Sequence, residues 1–199
     1  MSAGVLVAGV GNVFLGDDGF GVECVRRLAA GPLPPGVEVA DIGVRGVHLA
    51  YQLLDGYRTL ILVDAVGRGS PPGTLHLIEP ETGPVEPSAT PALDGHRMGP
   101  DAVLALLSAL SAGTGGSPPR RILVVGCEPD SLEEGMGLSA PVTAAVEEAV
   151  RLVRRLLDEE TTAGPPVTAT AGSGRRGGES ATGSQRSGRE RSEREASSC

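Results

Sequence analysis

Short, wholly apolar runs alternate with longer stretches of helical spacing over most of the chain. "GVLVAGV" (4–10) is Val-rich and too short for a stable helix, which predicts a buried strand. "FGVECVRRLAA" (20–30) repeats Val22, Val25, Leu28 and Ala29 on one helical face. A strand is then expected at 36–43, a helix at 46–56 closed by Gly56, and the most apolar strand, "RTLILVDAV", at 58–66. Further strands are expected at 73–80 and 120–129, and a helix at 98–110 with Pro100 in its first turn. The last element is a long amphipathic helix, 139–160, with Ser139 as N-cap and Pro141 in its first turn.

Strands that are apolar throughout and interleaved with helices predict a three-layer α/β/α fold around a mostly parallel five-stranded sheet. The runs at 58–66 and 73–80 have no helix between them. A parallel pair needs a crossover, so 73–80 is expected to be the one antiparallel edge strand.

Composition bounds the domain. Near Gly164 the large aliphatic side chains stop, and Val167 is the only one in "GPPVTATAGSGRRGGESATGSQRSGRERSEREASSC". Such a segment cannot offset its ordering entropy by burial. The expectation is an α/β domain over 1–160 and a disordered Gly/Ser/Arg/Glu-rich tail over 161–199. The formal net charge of −8 argues against a nucleic-acid partner. Cys24, Cys127 and Cys199 have neither metal-type spacing nor an even count, which fits a reducing, cytoplasmic setting. No basic region precedes the first apolar run, as a signal peptide would require, and no apolar stretch reaches the ~20 residues of a membrane span.

In open α/β sheets chemistry gathers at the carboxyl ends of the strands. The polar residues expected there are Asn12, Asp17 and Asp18; Asp41 with Gly43 and Gly46; Asp64; His96; and Cys127, Glu128 and Asp130. "GVGN" (9–12) has the start of a dinucleotide loop, but Phe14 stands where its third Gly belongs, and the carboxylate pair would repel a pyrophosphate. Asp18, Asp64 and His96 sit on three segments that should share one rim. Two carboxylates and an imidazole suit a divalent transition ion with an open position. Bland roles stay open at this level: Asp17 and Asp18 as caps of the 20–30 helix, Asp64 as a loop-orienting residue, His96 as a solvated one.

Four ordered motifs resemble those of the hydrogenase maturation endopeptidases, the nickel-dependent proteases that trim the large subunit of nickel-iron hydrogenases. They are "GVGNVFLGDDGFG", "LILVDAV", "DGHRMGPDAVLALL" and "GCEPDSLEEGMGLSAPVTAAVEEAV", spread over about residues 4–155. By position, the resemblance implies that Asp18, Asp64 and His96 are the metal-contacting and catalytic residues of an aspartic-type or metal-dependent endopeptidase. It implies nickel that arrives with the substrate, and a nickel-iron hydrogenase large-subunit precursor as partner, cut near its last metal-binding cysteine motif. The segment "DIGVRG" (41–46) departs from the Asp-Gly-Gly-Thr-x-Gly of many members: Ile42 replaces a Gly and Val44 the Thr. Asp41, Gly43, Arg45 and Gly46 are therefore the candidate substrate loop, with Arg45 available to hold a carboxylate.

The hydrolytic step is less determined by sequence. A metal polarises the scissile carbonyl or generates hydroxide; Asp17 is a candidate base or a cap. HExxH is absent. Cys24 and Cys127 lack a His–acid partner, and His48 and His76 are expected to be structural. The alternative in a different class is a metal-sensing module that docks on the precursor without cutting it.

Overall fold

A computed structural model describes residues 4–54, 56–80 and 118–162. The helix expected at 98–110, His96 before it and the tail beyond Gly164 lie outside the described residues.

Five strands form one sheet: β1 (Val5–Val10), β2 (Val37–Gly43), β3 (Thr59–Ala65), β4 (Leu75–Ile78) and β5 (Arg121–Cys127). Their order is β2-β1-β3-β5-β4. The first four in that order run parallel, and β4 pairs antiparallel with β5. The edge strand inferred from a missing crossover is therefore present. Its pairing is shorter than 73–80, because the backbone of Gly73 and Thr74 is turned to Glu128 instead.

Strand side chains alternate between faces, and here both faces are covered. From β1, Val5 and Val7 enter one core with Phe20, Val25 and Leu28 of α1 (Phe20–Ala29) and Val142, Val146 and Val153 of α3 (Ala140–Thr162). Leu6, Ala8 and Val10 enter the other with Leu49 and Leu53 of α2 (Gly46–Leu53). Two cores on one strand require apolar residues at every position, which is why β1 reads as an uninterrupted run. The helix α3 ends at Thr162, two residues past the expected boundary.

One buried acid ties the final turns of α3 to the sheet. Glu160 accepts from Thr59 Oγ1 at 2.6 Å and Arg121 Nη1 at 2.7 Å, and its backbone carbonyl accepts from Arg58 Nη2 at 2.9 Å. Burial pulls its carboxyl upward, but the Thr59 and Arg121 hydrogen bonds outweigh this and hold it below its ordinary 4.5. A depressed acid adds stability above its unfolded value and loses it as pH falls through the folded one. Glu160→Ala should lower unfolding free energy by on the order of 2 kcal/mol at pH 7. The gap to wild type should shrink in urea melts below about pH 4.

Candidate functional site

The carboxyl ends of β1 and β3 lie side by side at the centre of the sheet, and the turn after β1 folds over them. Tight packing makes this possible. A Cβ on Gly21 would run into the carbonyl oxygens of Val10 and Val63, so only glycine lets α1 descend onto the two strand ends. Gly11 (φ +123°) is held against the Asp18 carbonyl in the same way.

This turn explains why "GVGN" is not a phosphate loop. A phosphate would need free backbone amides, and three are already used. Gly11 N donates to Gly43 O (3.0 Å), Asn12 N to Asp18 Oδ2 (2.6 Å) and Phe14 N to Asn12 Oδ1 (3.0 Å). A carboxylate of the protein occupies the position of the anion.

Asp64 ends β3 and is 5% exposed. The one hydrogen bond described for its carboxylate comes from the neighbouring Ala65 N, at 2.9 Å to Oδ1. Burial first, and then the charge of Asp18, push its carboxyl up to about 8, with the Ala65 amide a partial offset. The two carboxylates thus repel one another, and among the described residues no cation offsets the charge of Asp64, which favours its protonated form at neutral pH. A divalent cation would relieve both the burial and the repulsion, so this donor pair fits a metal. Among the described residues no third His, Cys, Asp or Glu completes a metal-holding group; the expected third ligand, His96, lies outside them.

Asp17 differs from both roles expected of it. It does not cap α1, whose N-cap is Gly19 without a side-chain hydrogen bond. It is 1% exposed, and its carboxylate gathers the loop after β5. Oδ1 accepts from Ser139 N (2.6 Å); Oδ2 accepts from Asp130 N (2.8 Å), Ser131 N (3.1 Å) and Ser139 Oγ (2.9 Å). Burial raises its pKa, but these donors win and hold the carboxyl below its ordinary value. A carboxylate saturated by four donors is a brace, not a base. Ser139 stands before α3 as expected, yet its hydroxyl serves Asp17 rather than a helix amide.

Glu128 is a second brace that sequence did not single out for this role. Its carboxylate accepts from Arg68 N (2.7 Å) and Gly69 N (2.9 Å), fixing the loop that leaves Asp64. The Arg68 amide is the main cause of its lowered pKa. His76 Nε2 approaches Glu128 Oε2 at 3.4 Å without an aligned hydrogen bond. The only signal in the sequence was an acid directly after an apolar strand, which does not reveal what it holds. Asp130 contributes its backbone amide only.

In the candidate substrate loop, Arg26 pairs with Asp41 at 3.0 Å. Arg45 folds back on its own loop, donating from Nη2 to Asp41 O (2.7 Å) and from Nε to Ile42 O (3.2 Å). Gly43 (φ +57°) gives its carbonyl to Gly11, and Gly46 opens α2, so the loop abuts the Asp18 turn. Ile42, the residue in place of a family Gly, is buried in the α2-side core, whereas Val44 is exposed. His48 lies on the solvent side of α2 and so has no part in the core. Cys24 and Cys127 are buried free thiols, Cys127 pushed up to about 12 first of all by burial, which leaves no thiolate for catalysis.

Comparison with known proteins gives one answer. The family model for hydrogenase maturation protease (HycI) matches residues 22–156. The chain is 37% identical over 169 residues to the hydrogenase expression/formation protein HoxM of Cupriavidus necator, covering 84% of this chain and 79% of that protein. It is 33% identical over 156 residues to the hydrogenase 2 maturation protease of Escherichia coli, covering 78% and 91%. Among solved structures, the hydrogenase maturating endopeptidase HybD from E. coli superposes with a TM-score of 0.64 at 33% identity, over 78% of this chain and 93% of that one. The matched span includes Asp64, the loops that both braces hold and α3 as far as Leu156, and in fold and sequence alike the chain belongs to the hydrogenase maturation protease family.

Proposed function

We propose that this chain is the endopeptidase that removes the C-terminal extension from the large-subunit precursor of a nickel-iron hydrogenase, and that it reads nickel already placed in that precursor. Family membership supports the endopeptidase part. The observation that carries the metal part is the Asp18–Asp64 pair, a carboxyl raised first by burial and then by its neighbour, with no cation beside it among the described residues. Asp18, Asp64 and His96 are the residues that would hold the ion. Three oxygen and nitrogen donors bind modestly alone, which suits a metal also held by the cysteines of another chain.

When bound, the ion supplies Lewis acidity at the scissile carbonyl or a hydroxide for attack on it. The protein's own part is positional. The Asn12 amide fixes Asp18 Oδ2, and the Ala65 amide orients Asp64 Oδ1. Asp18 and Asp64 would hold the ion as carboxylates, so Asp64 would have to be ionised when the ion is bound. The braces at Asp17 and Glu128 hold the flanking loops still. Among the described residues no helix is long and apolar enough to cross a membrane, and the buried free thiols support action in the reducing cytoplasm.

The test is the gel shift of the precursor. Incubated with purified protein, the nickel-loaded precursor should shorten and the nickel-free precursor should not. Co-migration without shortening would instead favour a docking module, and equal cutting of both forms would remove the metal from the reading.

A further inference from the structure

The turn after β1 and the loop after β5 are joined edge to edge, yet neither buries its largest side chains. Gly135 N donates to Phe14 O and Gly16 N to Gly135 O, each at 2.9 Å, and Asp17 N donates to Ser131 O at 3.1 Å. With the four bonds to the Asp17 carboxylate, the backbone of this ledge is fixed from both sides. Its side chains point outward: Phe14 is 62% exposed, Met136 81% and Leu132 46%. A single exposed apolar residue needs no explanation, but three on one braced ledge mark an interaction surface. Glu133 and Glu134 are also exposed there, and no basic residue occurs between Glu128 and Ser139.

We propose that this ledge seats the precursor's polypeptide beside the bond to be cut, with Phe14, Leu132 and Met136 receiving apolar side chains and Glu133 and Glu134 receiving a basic one. The proposal rests on the endopeptidase reading and adds to it where the substrate chain lies. Continuity with the site is its first support. Phe14 belongs to the same turn as Asn12, whose amide holds Asp18, so a chain whose metal is read at Asp18 must pass next to it. Charge is the second. A symmetric contact between two copies would set Glu133 and Glu134 against themselves in a chain of net charge −8, whereas a basic segment is drawn in. Met136 adds tolerance, because an unbranched thioether adapts to different side chains.

The experiment uses the full chain and the nickel-loaded large-subunit precursor. The double variant F14S/M136S should melt like wild type, because both side chains are exposed. Its KM should rise by about tenfold, with kcat within about twofold. E133Q/E134Q should raise KM at low salt and flatten its salt dependence. Wild-type KM in F14S/M136S, with wild type active, would overturn the ledge while leaving the endopeptidase reading intact. If wild type cuts nothing, the endopeptidase reading fails, and titration of the precursor against both proteins decides the ledge: equal affinity overturns it, a tenfold loss supports it. A wild-type dimer that F14S/M136S dissociates in sedimentation would assign the ledge to a second copy and also overturn the proposal.

Discussion

Asp18→Asn, Asp64→Asn and His96→Ala should each fail to shorten a nickel-loaded precursor, with rates down about a hundredfold or more. Even partners one shell removed from a metal cost 10–100-fold when lost, and these three are the proposed contacts themselves. Activity alone would not separate a lost ligand from a damaged fold, but Asp64 offers a second readout. Its carboxyl is raised from 3.8 to about 8. Between those values the unfolded chain is ionised while the folded chain keeps the proton, so the metal-free protein loses stability as pH rises through that window. Asp64→Asn removes this cost. In metal-free buffer the variant should match wild type near pH 4 and exceed it at pH 8, by on the order of 2 kcal/mol after the amide's own burial is allowed for. Nickel should narrow the gap at pH 8 by stabilising only wild type. A variant no more stable than wild type at pH 8 would mean that Asp64 is already compensated, and the argument for a cation between the two carboxylates would collapse.

The second large effect belongs to Asp17. Asp17→Ala strands the amides of Asp130, Ser131 and Ser139 at a site 1% exposed. The expected loss is about 3 kcal/mol in urea or thermal melts. Limited proteolysis should cut near 130–137 in the variant but not in wild type. Asp17→Asn should recover part of the loss, because its oxygen at the Oδ2 position keeps three of the four donors while its amide nitrogen faces only Ser139 N. The precursor-cleaving activity that survives should keep the wild-type pH profile, since a brace takes no proton in the reaction. A shifted pH profile with an unchanged melt would restore Asp17 as a base.

The sheet was legible in the sequence because its physics is local. β1, β3 and β5 are apolar on both faces, and the antiparallel edge at β4 follows from one short connection. Asp18 and Asp64 were legible as neighbours because one lies in the turn that follows β1 and the other ends β3, and β1 and β3 are adjacent parallel strands. For Asp17 the sequence offers two local roles, a base beside Asp18 or a cap of the adjacent helix, the nearest set of free amides. Its real partners lie 113 to 122 positions further along, and no periodicity reports a contact of that range. Glu128 escaped for a similar reason: its donors are 59 and 60 positions earlier. His96 was legible as a motif, and its place lies outside the described residues.

The reach of Asp17 also bears on the order in which the protein is made. The turn after β1 is made before the loop after β5, and the amides and the hydroxyl that meet its buried carboxylate come from Asp130–Ser139. Contacts of such sequence separation form late, because loop closure must precede them. The local bonds of the first turn, Asn12 N to Asp18 Oδ2 and Gly11 N to Gly43 O, need only the first two strands, whereas its bonds to Ser131 and Ser139 need β5 and the start of α3 as well. A nascent or truncated chain that stops before Ser139 carries the carboxylates but not the geometry. The bonds from the loop after β5 to the Asp17 carboxylate therefore await synthesis as far as Ser139.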